Sequence, residues 1–153
     1  NVHLFGGDSK EDLIEEIKER FEKIYKSISS IEYQIDEDEV LLHTLKVYSN
    51  SLWEKNALEK IGKKLAEENP IQFIESFTHA LSSSFEYLSI FFGEDERNNF
   101  AIHSLISLGG ISIVLPFVIK AYKFNIELRE ITTLCTSIEN LLLRDKLLSR
   151  INI

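Results

Sequence analysis

One stretch limits what this chain can become. From Ser104 to Ile119, 16 consecutive residues carry no charge, and Gly109, Gly110 and Pro116 lie among them. A membrane-crossing helix needs about 20 apolar residues, so the run is short, and the glycine pair divides it. A phosphate-binding loop needs glycines spaced through its turn, then Lys and Ser or Thr. Here Ile111, Ser112 and Ile113 follow the pair, and the first cation is Lys120. What remains is a helix–helix corner that leads into a wholly buried central helix over about 112–124. Pro116 is tolerated best in its first turn, where the missing N–H is an orphan anyway.

The flanking sequence has helical spacing. Leu13, Ile14, Ile17, Phe21, Ile24, Tyr25 and Ile28 recur at steps of three and four, one face of an amphipathic helix over about 9–31. Ser9 and Asp12 resemble a capping box at its start. A second helix follows Asp36 as cap. A third, over about 52–68, carries Trp53, Ala57, Leu58, Ile61 and Leu65 on its apolar face. The next start is the clearest: Asn69 caps, Pro70 suits the first helical position, and the pattern runs from Ile71 to Phe92 before Gly93. A fifth helix spans from near Asp95 to the glycine pair. The last runs over about 127–150, with Ile131, Leu134, Cys135, Ile138, Leu141, Leu142, Asp145 and Leu148 toward the core.

The expectation is an all-α, single-domain bundle of six or seven helices over residues 1–153, with a buried central hairpin near 101–124. At 153 residues the chain suits one domain that buries roughly 70% of its unfolded surface. The net charge of −8 argues against autonomous nucleic-acid binding, which relies on a basic face. The single Cys135 excludes an intrachain disulfide and fits a reducing cytoplasm. No membrane association is expected. The chain has no methionine and opens "NVHLFGG" without a secretory leader, so it reads as a piece excised from a longer multidomain protein.

No residue set points to catalysis, a cofactor or a metal. Glu75 and His79 lie one turn apart, but a di-iron bundle wants Glu-x-x-His on two helices. His43 and His103 sit in apolar surroundings and read as partly buried structural histidines. Cys135 falls on an apolar face and reads as a small hydrophobe. Trp53, in "NSLWEK", either fills the core or contacts another domain. In "SIENLLLRDKLLSR", Asn140 and Arg144 share a helix face, which either pairs internally or docks elsewhere. Trp53, Asn140 and Arg144 are therefore the candidate interdomain contacts.

"LLHTLKVYSNSLWEKNALEKI" (41–61), "PIQFIESFTHALSSSFEYLSIFF" (70–92) and "LISLGGISIVLPFVIKAYK" (105–123), with "SIENLLLRDKLLSR" after them, resemble the helical region of GmrSD-type restriction endonucleases. In that family a ParB-like N-terminal domain is linked to NTP-dependent action, and a C-terminal HNH domain is the nuclease. Neither motif occurs here, so no catalytic residue carries over. The resemblance implies a non-catalytic helical scaffold that couples neighbouring domains of an NTP-dependent, phage-defence endonuclease. The competing expectations are a stand-alone helical adaptor for a protein partner and a small metal-dependent helical enzyme.

Overall fold

A computed structural model describes residues 2–31, 33–67, 69–93 and 99–151, with only the backbone of 2–8. The described residues form seven helices and no strand: α1 (Val2–Ile31), α2 (Glu37–Tyr48), α3 (Ala57–Glu67), α4 (Pro70–Phe91), α5 (Phe100–Leu108), α6 (Ile111–Lys123) and α7 (Leu128–Ile151). This is the all-α bundle that the apolar spacing implies.

Local chemistry sets most of the starts. The Asp36 carboxylate accepts the Glu39 N–H at 2.8 Å ahead of α2. The Asn69 side chain accepts from Ile71 and Gln72, and Pro70 opens α4 with a residue that has no N–H to satisfy. Asn99 caps α5 through the Ala101 N–H, and its amide donates to Thr132 Oγ1 on α7 at 3.0 Å. The expected start of the fifth helix near Asp95 lies outside the described residues.

Two expected boundaries move. Helix α1 runs through Ser9, so Ser9 and Asp12 do not form a capping box there. Helix α3 begins at Ala57, not Leu52. Asn50, at φ 50°, turns the chain after α2, and Lys120 donates to its side chain from α6 at 3.0 Å. The chain then passes through a loop until Asn56 accepts the Glu59 N–H.

Helix α6 is the hub. It touches α2, α4, α5 and α7. Val114, Leu115 and Val118 are buried completely, among Val40, Leu88, Phe91, Ile102, Leu105 and Ile131. Burial of each such side chain stabilises by roughly 1.5–3 kcal/mol. The expectation of a wholly buried helix is nevertheless corrected: Ile113 is 57% and Phe117 42% exposed. A helix wedged among four neighbours still has an outer stripe, and Ile113 and Phe117 share it at i,i+4. Pro116 also lies inside the helix, past its first turn, and offers no N–H to the Ser112 carbonyl.

A second cluster forms where α2, α3 and α4 meet. Leu45, Phe73 and Phe77 are buried there, Phe73 and Phe77 stack at 5.3 Å, and Tyr48 meets both rings edge-on. Helix α1 lies along α4. Arg20 joins them by donating to the Glu75 carbonyl and Thr78 Oγ1 while pairing with Glu16. Ile24 and Ile31 enter the core, whereas Ile14, Phe21 and Tyr25 are exposed. The apolar stripe of α1 is wider than the single helix that covers it.

The α5–α6 corner needs its glycines for different reasons. Gly109 has φ +71°, in the left-handed region, and its N–H and that of Gly110 return to the carbonyls of Ile106 and Leu105. A Cβ on Gly110 would collide with Leu142 Cδ1, so Gly110 lets α7 lie close against the corner. Gly109→Ala is expected to lower stability by about 1–2 kcal/mol through the left-handed backbone alone, since a Cβ there meets nothing within 4 Å. Gly62→Ala, in the α3 interior with equal open space, is expected to raise it by about 0.5–1 kcal/mol. Urea unfolding of both variants checks the opposite signs.

Candidate functional site

Three places merit a chemical reading: a buried polar chain between α2 and α6, a cleft beside α4, and the apolar residues left in solvent.

The polar chain was not legible in the sequence. Ser112 Oγ donates to Glu39 Oε1 at 3.2 Å, and His43 Nε2 lies 3.2 Å from the same hydroxyl. A hydroxyl has one proton, and Ser112 gives it to Glu39. His43 Nε2 is therefore the donor to Ser112, and Nδ1 carries the bare lone pair. His43 is only 4% exposed, and Nδ1 has no hydrogen-bond partner among the described residues. Burial, and next the charge of Lys46, lower the His43 pKa to about 4.

Glu, Ser and His side by side invite comparison with a catalytic triad, but the order is wrong. In a triad the histidine stands between acid and hydroxyl and takes the hydroxyl's proton. Here Ser112 stands in the middle, and its proton points at the carboxylate. The arrangement ties α2 to α6 and does not activate a nucleophile.

The cleft between α2, α4 and α6 encloses about 250 Å³ and is lined by Thr44, Tyr48, Ser76 and Ile119 among others. That falls below the usual range of about 300–1,000 Å³ for small-molecule sites. Part of its polar wall is engaged, Tyr48 Oη lying 2.7 Å from Ser76 Oγ and Ser84 Oγ donating to the Ala80 carbonyl, while the buried Thr44 Oγ1 has no hydrogen-bond partner among the described residues.

The remaining sequence candidates separate. Glu75 and His79 are both exposed on α4, and no group of three or more metal-ligating side chains occurs among the described residues. His103 is exposed, correcting the expectation of a partly buried residue, because α5 turns that side away from α7. Cys135 is buried, and burial pushes its thiol up to about 11, so it packs as a hydrophobe and is a poor nucleophile. No described helix is long and apolar enough to cross a membrane.

Trp53 does not fill the core. It is 87% exposed, because the chain is still in the α2–α3 loop when it reaches this residue. Leu52 beside it shares a cleft with Pro116 and Phe117. The loop thus sets Leu52 beside Pro116 and Phe117 of α6, with the exposed Trp53 next to Leu52 in the chain; Ile113 is exposed one turn before Phe117 on α6. Asn140 and Arg144 lie elsewhere, on α7, and both are exposed. The expected core face of α7 is correct for Ile131 and Cys135 but not for Leu141, Asp145 and Leu148, which face solvent. The helix outruns the corner on which it packs; every residue from Leu143 to Ile151 is exposed.

Comparison with family models, with curated proteins and with solved structures returns no match. The described residues form an all-α bundle with a closed core and several exposed apolar residues outside it, among them those of the α2–α3 loop and of the end of α7.

His43 makes a pH dependence calculable in sign. Its folded pKa is depressed from 6.5 to about 4, so the unfolded chain takes up a proton first as pH falls. The contribution is whole above pH 6.5 and is lost progressively down to pH 4. A depression of this size corresponds to roughly 3 kcal/mol in all, of which about 2 kcal/mol is lost between pH 7.5 and pH 5. Denaturant unfolding at pH 7.5 and pH 5 is expected to show that loss in the native chain and a flatter profile in His43→Leu. Equal slopes in the two proteins would remove His43 as the cause.

Proposed function

We propose that this chain is a non-catalytic helical scaffold that holds neighbouring protein parts in place. As the GmrSD resemblance implies, its setting is a DNA-targeting restriction nuclease of phage defence, acting in the cytoplasm. In this reading the NTP-dependent and DNA-cutting steps belong to other domains of the parent protein. This chain supplies a rigid block and the surfaces on which those domains seat.

The observation that carries the scaffold reading is the exposed Trp53, next in the chain to Leu52, which lines a cleft with Phe117 of α6. A tryptophan that its own fold leaves 87% exposed has about the largest apolar area a side chain can offer to a partner, and tryptophan is enriched among residues that dominate binding energy. Its position supports docking as well. The loop is held at one side by Lys120 on Asn50 and at the other by the ion pair of Lys60 with Glu54 at 3.1 Å. The ring thus projects from a supported loop. The nuclease setting rests on the resemblance alone.

The test uses the natural reading frame that contains this chain, assayed by phage plating. Trp53→Ala is expected to reduce restriction by at least about tenfold, the effect of removing a binding hot spot. The melting temperature of the helical domain should stay nearly unchanged, because an exposed side chain contributes within about 0.5 kcal/mol to folding. Arg144→Ala is expected likewise to alter docking more than melting. Full restriction by the Trp53 variant, or a frame that restricts no phage, sinks the proposal.

A further inference from the structure

The second apolar surface names its own partner. Beyond the α5–α6 corner, α7 carries Leu141 and Leu148, seven residues apart on one side and 62% and 59% exposed, with Ile151 one turn further on. Between the two leucines lie Arg144 and Asp145, one on each flank of the stripe at helical spacing. Both are exposed, and no ion pair within the chain engages either among the described residues. The face that packs on the body is a different one: Ile131 and Cys135 are buried, Leu142 meets Gly110, and Lys146 donates to the Leu108 carbonyl.

We propose that α7 pairs in parallel with α7 of a second copy of this chain. The reason is charge placed on opposite flanks of one stripe. When two identical helices pack in parallel about a twofold axis along their length, the left flank of each meets the right flank of the other. Arg144 then meets Asp145 of the second copy, and the contact occurs twice. Leu141 and Leu148 each meet their own counterparts above and below that charged layer. An antiparallel pair joins like flanks, which brings the two arginines together and the two aspartates together. A face that supplies both halves of its own ion pair fits a second copy better than a partner of one sign.

The packing leaves room for this. The body of each copy sits to the side of the stripe, and the twofold axis places the two bodies on opposite sides of the helix pair. The paired segment, Leu141–Ile151, is about 16 Å long at 1.5 Å per residue. Its contact falls short of the roughly 1,200–2,000 Å² of a standard stable interface. The dimer is therefore a weak one, with a dissociation constant on the order of micromolar.

This inference rests on the reading of α7 as a contact surface and adds who occupies it. Its readout, mass in solution by sedimentation equilibrium, is independent of phage plating, so either proposal can fail alone. The native chain is expected to show a concentration-dependent dimer. Arg144→Asp sets four acids in one layer and is expected to weaken it by roughly tenfold or more, as like charges do across an interface. The double variant Arg144→Asp with Asp145→Arg restores the exchanged pairs and is expected to recover the native dissociation constant. Leu148→Cys, under mild oxidation, is expected to form a disulfide between copies, with the native thiol buried on the body side. A chain that stays monomeric throughout, a dimer indifferent to Arg144→Asp, or one that the double variant does not rescue overturns the proposal. So does a dimer that Leu148→Cys fails to cross-link, which indicates an antiparallel pair.

Discussion

The structure depends on the seating of α6 among α2, α4, α5 and α7. Val114, Leu115 and Val118 present no surface to solvent and belong to one buried cluster. Remove that helix and the four neighbours lose their common wall. The corner before it is equally constrained. Gly109 reverses the chain in a backbone conformation that other residues resist, and Gly110 brings α7 down onto the turn. The corner thus sets both the direction of α6 and the height at which α7 crosses.

Polar chemistry in this molecule serves that seating. Glu39, Ser112 and His43 join α2 to α6 where apolar packing alone would leave a polar histidine without a partner. The histidine is kept neutral by burial, and one of its nitrogens has no partner among the described residues. Such a group is a local weakness under acid, because unfolding lets it take up a proton in water. Arg20 does similar work at the other side of the bundle, joining the acidic α1 to the backbone and a hydroxyl of α4. Function is then sought where the chain does not satisfy itself: at the loop that carries Trp53 and along the free end of α7.

Much of the fold was legible. Asn69-Pro70 marks the start of α4 because a cap and a proline act on neighbouring backbone groups. The glycine pair marks the corner because the left-handed turn is also a local event. The misplacements share one cause. Ile113, Phe117, Tyr25, Leu141 and Leu148 all sit at helical spacing with core residues, and spacing identifies a face without saying how much of it a neighbour covers. The spacing places Trp53 in a helix because its apolar neighbours continue in register. The turn at Asn50, which Lys120 holds from 70 residues away, ends that register.

From sequence alone came the class of fold, the helix that must lie at its centre, and the absence of any contiguous catalytic motif. These follow from short-range rules: periodicity, caps, and the length of an uncharged run. Tertiary structure decided which apolar residues are core and which are surface, that His43 meets Ser112, and that Arg144 and Asp145 flank an open stripe. Burial and pairing depend on which helices come to lie together. That depends on the sum of many weak contacts between residues distant in the chain, and no local pattern records it.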